Sequence, residues 1–327
     1  MALGHDEGIS AKAAPAGWTA RPVGRRREDR IVGASRATER VIEQISAAAR
    51  SDLPVLILGP SGTGKEFAAR AVHAWGPRAD GPFLTLACDA VPESTQAREL
   101  FGSAAEATPL LPEACEGLLA RAAGGSLLLE HVDRLRGDVA EMLTRAIVER
   151  RFRRAGEDAP VTLGARVIIA AETRPAATLP GGLPHHTIEL AALAERREDI
   201  LPLAAHFLAA SAEEIGAAPV GFTADARAFL LAEPWTGNVR ELRQRIRQAV
   251  RLSSDGAVSA EALLLASDGD EIPSFKEAKR AFETRYVVNL LRRCSGNISR
   301  AARLAKKDRK DFYDVIRRTG IDPTQFR

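Results

Sequence analysis

Eight residues, GPSGTGKE from Gly59 to Glu66, set glycines at 59, 62 and 64 ahead of Lys65. Glycines in such a turn let backbone amides, those of Ser61 and Thr63 included, point at phosphate oxygens. The lysine adds a charge for the β- and γ-phosphates, and a following helix adds the positive end of its dipole. The chemistry is that of a nucleotide triphosphate, ATP, with Mg2+. The position after the lysine usually carries a Ser or Thr that helps hold the metal; here it is Glu66. A second stretch, GGSLLLEHVDRL (Gly124 to Leu135), is a short apolar run ending on Glu130, where a nucleotide-hydrolysing protein holds magnesium. The next position normally carries the carboxylate that activates water, and here it is His131. An imidazole can accept a proton, but its reach and charge differ from a carboxylate's.

Both segments need a parallel sheet to bring them together. LPVLIL (Leu53 to Leu58) has the continuous apolar character of a buried strand and leads into the glycine turn and a helix over Glu66 to Ala74. PFLTLAC (Pro82 to Cys88), SLLLE (Ser126 to Glu130) and ARVIIAA (Ala165 to Ala171) are further short apolar strands. Helical stretches separate them, which predicts an α/β fold with a parallel sheet. After about Ile188 the pattern turns wholly helical, through RREDILPLAAHFLAASAEEIG and ADARAFLLAEPWTGNVRELRQRIRQAVRL. SDGDEIPS (Ser267 to Ser274) is the best linker, and a long helix from Phe275 to Arg293 and two shorter helices follow.

GPSGTGKE followed by ELFG, FRRAG, ERREDI and PWTGNVREL resembles the AAA+ domain of bacterial enhancer-binding proteins, the sigma-54-dependent transcriptional regulators. The resemblance runs from about Ile31 to the C-terminus. A Glu after the lysine is normal in that family. The resemblance implies an AAA+ P-loop parallel sheet with a helical lid. It also implies an adenine pocket near IVGAS, with Ile31 and Val32, and a sensor arginine, Arg240, that reaches the γ-phosphate. No receiver domain is expected ahead of the ATPase body, a layout that resembles the short members.

Several family features are replaced. The family carries Asp-Glu where this chain reads Glu130-His131, and an Asn on the neighbouring strand where it has Ala87. It supplies arginine fingers from a segment ahead of ERREDI; this chain has no arginine between Pro175 and Glu195, and Arg174 just upstream is the one candidate substitute. The family writes G-A-F-T-G-A in the loop that grips the sigma factor. The 21 residues between Gly102 and Gly124 keep the expected length, but the corresponding six read EATPLL, Glu106 to Leu111.

The C-terminal stretch GNISRAARLAKKDRKDFYDVIRRTGI reads as helix, turn, helix, with Ile298, Ala301, Ala302 and Leu304 on one apolar face and Phe312, Val315 and Ile316 on another. It resembles the Fis-type helix-turn-helix of the same family. Lys306-Lys307-Asp308 would make the turn, and Arg309 to Thr319 would be the recognition helix in a major groove. Arg309, Lys310 and Asp311 fall at its N-terminal end, Arg317 and Arg318 are placed for phosphates, and Ser299 and Arg300 on the helix before are expected to bind DNA with them. Phe275 to Arg327 carries 15 Lys and Arg against 6 Asp and Glu, while the rest of the chain carries 31 against 37. A basic module on a mildly acidic body suits a polyanion. The helix from Phe275 to Arg293 is the expected dimer surface, giving the two-fold symmetry that a palindromic double-stranded DNA site needs.

The 327 residues have no apolar run long enough for a membrane span, and Cys88, Cys115 and Cys294 are too scattered for a disulfide framework or a zinc site. A cytoplasmic protein is expected. The expected organisation is a disordered arm (1–30), an α/β nucleotide-binding subdomain (31–187), a helical lid (188–266), a linker (267–274) and an all-α helix-turn-helix domain (275–327). The expected function is DNA-binding transcriptional regulation by a homo-oligomer, at least a dimer, acting with RNA polymerase of unassigned sigma factor, its ATP bound but poorly hydrolysed. Two other readings are a working ATPase that remodels sigma-54 polymerase, and an interaction partner that joins hetero-oligomers with an intact relative.

Overall fold

A parallel strand buried on both faces must be apolar at every position, not at alternate ones. β1 (Val55–Leu58) and the Leu127–Leu129 centre of β3 (Ser126–Glu130) obey this rule, and their side chains divide between two cores. Leu56, Leu127 and Leu129 pack on one face of the sheet with Phe101, Leu143 and Ile169. Val55, Ile57 and Leu128 pack on the other with Val41, Ile45, Ala69 and Ile188. Each large aliphatic side chain so buried contributes about 1.5–3 kcal/mol.

The computed structural model describes residues 31–105, 113–174, 183–216, 221–253, 256–266, 286–288 and 290–326. In chain order, α1 (Arg36–Ala49) precedes β1, and α2 (Lys65–Ala74) follows it. Next come β2 (Phe83–Ala87), α3 (Gln96–Phe101), α4 (Leu118–Arg121), β3 and α5 (Gly137–Glu149). An antiparallel pair of two-residue strands, β4 (Arg151–Phe152) with β5 (Val161–Thr162), leads to β6 (Arg166–Ala171) and β7 (His186–Glu189). The main sheet is parallel in the order β2-β3-β6-β1-β7, so crossovers place β1 between β6 and β7.

β7 is absent from the sequence-based strand list. HTIE is short and lies at the sheet edge, and only Ile188 of its four residues is buried, so it lacks the apolar run that marks the interior strands. Beyond it the chain is helical: α6 (Ile200–Glu214), α7 (Ala224–Ala232), α8 (Asn238–Leu252) and α9 (Ala260–Leu265). EPWTG breaks what the sequence suggested as one helical stretch, with Trp235 (φ 49°) and Asn238 (φ 57°) in the left-handed region. The contacts divide the chain into residues 1–206 with 234–242, and residues 207–233 with 243–327. In the second unit, residues 286–288 and 290–293 are helical, followed by α10 (Ile298–Leu304) and α11 (Arg309–Thr319). No helix among the described residues is long and apolar enough to cross a membrane. The expected arm (1–30) and linker (267–274) lie outside the described residues.

Candidate functional site

The turn between β1 and α2 has the geometry that its glycines predict. Gly62 has φ 75°, and a Cβ there would stand 2.2 Å from the Gly237 carbonyl oxygen, so this position excludes every side chain. Gly64 has φ 104° with nothing within 4 Å of where a Cβ would begin, which leaves its backbone open to a ligand. Thr63 is buried, its hydroxyl donating to the Pro60 carbonyl at 2.8 Å. Lys65 opens α2, and its Nζ donates to the carbonyls of Gly59 (2.8 Å) and Pro60 (3.1 Å). Glu66 is exposed and paired with Arg70 at 2.7 Å, a surface i,i+4 pair worth at most a few tenths of a kcal/mol.

The segment from Trp235 to Arg240 clasps this loop from outside the sheet. Asn238 is buried: its Nδ2 donates to the Ser61 carbonyl at 2.9 Å, and its Oδ1 accepts from the Leu193 amide at 2.8 Å. The Arg240 amide donates to the Gly62 carbonyl at 3.1 Å, and its Nη1 to the Ser61 hydroxyl at 3.4 Å. Arg240, the expected sensor arginine, is therefore held at the phosphate loop.

A second clasp was not legible as such in ERREDI. Asp199 is fully buried and accepts from the amides of Ala34 (2.6 Å) and Ser35 (2.7 Å) and from the hydroxyls of Ser35 (2.8 Å) and Thr38 (2.7 Å). Nearby Arg196, 8% exposed, donates to the Thr63 carbonyl at 3.1 Å, and burial pushes its guanidinium below the usual arginine range. IVGAS, where Ile31 and Val32 are half-buried, is thereby tied through Asp199 and Arg196 to the phosphate loop. Asp199→Ala strands four donors and leaves Arg196 without its acid. It should destabilise the fold by about 3–5 kcal/mol, measured by denaturant unfolding, whereas Asp199→Asn should cost less.

Glu130 closes β3, in register with Ala87 of β2 on one side and Ala170 of β6 on the other. No side-chain donor or acceptor of position 87 can orient the neighbouring strand end. His131 follows with φ 53° and is exposed. Gln96, 1% exposed, holds the segment after it, donating to the Arg134 carbonyl at 3.0 Å and accepting from the Arg136 amide at 3.0 Å. Burial lowers the Lys65 ammonium from the usual lysine range, Glu172 and Glu130 oppose that shift, and Arg240 adds to it. Lys65, Arg240, Glu130 and Glu172 therefore share one electrostatic neighbourhood. Carboxylate oxygens beside an amide-lined turn fit the hard, oxygen-seeking Mg2+ and a polyphosphate.

In the C-terminal unit, Phe312, Val315 and Ile316 of α11 pack with Ala301 and Ala302 of α10 and with Val287, Leu290 and Leu291. Caps set both helices: the Asn297 side chain accepts from the Arg300 amide, and that of Asp308 from the Lys310 amide. Lys306 (φ 50°) makes the turn between them. Leu304, placed by periodicity on the apolar face, is instead 56% exposed. Arg309, Lys310, Asp311, Arg317, Arg318 and Arg300 are all exposed, and Ser299 is half-buried. Tyr313, one turn from both Arg309 and Arg317, is 55% exposed and extends that face; its i+4 spacing was the available signal.

Residues 31–182 match the Sigma-54 interaction domain, and residues 194–275 the AAA+ ATPase lid domain. The transcriptional regulatory protein GlrR of Escherichia coli (strain K12) is 35% identical over 308 residues, 91% of this chain and 69% of that protein. The chain belongs to the sigma-54-type transcriptional regulators with an AAA+ domain. The regulator ZraR of Escherichia coli O157:H7 is 35% identical over 305 residues, covering 88% of this chain and 68% of its own length. Among solved structures, NtrX from Brucella abortus in complex with ADP matches with a TM-score of 0.63 at 29% identity, over 90% of this chain and 70% of that one. The ATP complex of that protein gives 0.60 at 30% identity, over 89% and 69%. The parallel-sheet AAA+ fold with a helical lid is thereby the fold of this regulator.

Against that family, two of the replaced segments lie partly or wholly outside the described residues. EATPLL is one of them, within 106–112. The neck that leads to it is described: Ser103 and Cys115 exchange amide-to-carbonyl bonds of 2.8 Å in both directions, and the Ala104 amide reaches Ala155 of FRRAG. Of the finger segment, 175–182 lies outside. Arg174 is exposed, with Nη1 3.0 Å from Nε2 of His185.

Proposed function

We propose that this regulator binds DNA through its C-terminal module and binds ATP with Mg2+ in the β1–α2 loop, while hydrolysing ATP poorly or not at all. One observation carries the reading: a phosphate loop in working geometry, clasped by Asn238 and Arg240, stands beside a strand that ends on Glu130-His131 against Ala87. The relatives crystallised with ADP and ATP support nucleotide binding. Lys65 and the loop amides would hold the β- and γ-phosphates, and Glu130 would hold the metal. Magnesium, when bound, would neutralise charge on the phosphates. Arg240 would contact the γ-phosphate, and Asp199 and Arg196 would keep the purine-side segment in place. Nucleotide then acts as an assembly or structural ligand that stabilises the state it prefers. Titrating ATP onto the purified chain and measuring turnover in the same preparation, with and without DNA, tests it.

Domain limits of 31–187, 188–266 and 275–327 belong to the same proposal, with the last as a dimeric reader of a palindromic site. RNA polymerase is the partner, its sigma factor unassigned. Arg309→Ala or Lys310→Ala should weaken binding to the specific site by about 1–3 kcal/mol, and more than Lys279→Ala does. Affinity should fall with salt with a log–log slope of about 0.9 per phosphate contacted. Equal losses at all three positions in a DNA-shift titration would mean that α11 does not enter the groove.

A further inference from the structure

We propose that Glu172, the first residue beyond β6, is a metal-positioning carboxylate of the nucleotide site, sharing with Glu130 the hold on the magnesium that accompanies the phosphates. The inference rests on the nucleotide reading above and adds a residue and a metal dependence to it. β6 lies between β1, which leads into the phosphate loop, and β3, which ends on Glu130. The Gly59 amide donates to the Ala171 carbonyl at 3.2 Å, so the loop is stitched to β6 at the residue immediately before Glu172. Glu130 lies in register with Ala170, two residues before Glu172 on the adjacent strand. Two neighbouring strands thus deliver carboxylates to the same end of the sheet, where ligands of open α/β sheets bind.

The charges are arranged for a cation. Glu66 is taken by Arg70 and the Glu241 carboxylate by the Gly237 amide, but neither Glu130 nor Glu172 forms an ion pair among the described residues. Lys65, whose ammonium both carboxylates act on, gives its hydrogen bonds to the Gly59 and Pro60 carbonyls instead. A polyphosphate brought to this loop without metal meets two carboxylates of its own sign. With magnesium, the same carboxylates become ligands or partners of its hydration shell. Affinity for nucleotide should therefore depend steeply on the divalent ion.

The experiment measures binding, not turnover: titration of a fluorescent ATP analogue onto the full chain, in Mg2+ and in EDTA. The wild type should prefer the magnesium complex, and Glu172→Gln should shrink that preference by about 10-fold, partly by tightening metal-free binding. Glu172→Asp, which keeps the charge, should retain most of the preference. Glu141→Gln, an exposed acid on α5, should leave it unchanged, and melting temperatures without nucleotide should match throughout. Mn2+ bound in the presence of ADP, read by electron paramagnetic resonance, should weaken in Glu172→Gln alone. An unchanged magnesium preference in a folded Glu172→Gln overturns the inference. Failure of the wild type to bind in either buffer overturns the nucleotide reading itself, a separate and recognisable result.

Discussion

ATP should bind to the purified regulator with turnover near background, and Lys65→Ala should abolish the binding. Phosphoryl transfer to water needs a positioned base and compensation of charge developing on the γ-phosphate. Arginine fingers alone are worth about 10³–10⁵ in rate. Position 131 presents an exposed imidazole, position 87 presents a methyl group in register with Glu130, and the chain between Pro175 and Glu195 has no arginine. Arg174 is placed against His185. Because these contributions act together in one transition state, Glu130→Asp with His131→Glu should recover only part of the rate. A coupled phosphate-release assay checks this. Robust steady-state hydrolysis by the wild type, lost in Lys65→Ala, would show that another group serves as base.

Added alone to a sigma-54 promoter carrying its own binding site, with ATP, the protein should form no open complexes. Opening requires a loop tip that grips the sigma factor, hydrolysis that moves the loop, and fingers that couple neighbouring subunits. EATPLL lacks the aromatic tip and the glycines of the family's loop, Glu130-His131 stands where the family carries Asp-Glu, and the finger segment lacks its arginine. The neck under the loop, paired between Ser103 and Cys115, is intact, so grafting G-A-F-T-G-A over Glu106 to Leu111 should still not restore opening while hydrolysis is weak. DNA binding in the same preparation should survive, because α11 keeps its exposed Arg309 and Lys310 on a packed base of Phe312, Val315 and Ile316. Permanganate footprinting of the promoter decides it; melted DNA in the absence of another activator would mean that Glu106 to Leu111 is a functional loop.

Much of this was written in local sequence because the responsible forces are local. A glycine turn before Lys65 dictates its own backbone, strands buried on both faces must be continuously apolar, and Asn297 and Asp308 cap helices within three residues of themselves. Those signals placed β1, β2, β3, β6, the phosphate loop and the last two α-helices. What escaped depends on partners distant in sequence. β7 owes its existence to pairing with β1, not to its own weakly apolar residues. The four donors on Asp199 lie more than 160 positions away, and Asn238 reaches Ser61 across 177. Leu304 looked like core by periodicity, yet it is more than half exposed, since burial is decided by what packs opposite a helix face. Glu172 is the clearest case. In sequence it is one acid after an apolar strand; only the crossover that puts β6 between β1 and β3 sets it at the sheet end where β3 delivers Glu130 and β1 enters the phosphate loop.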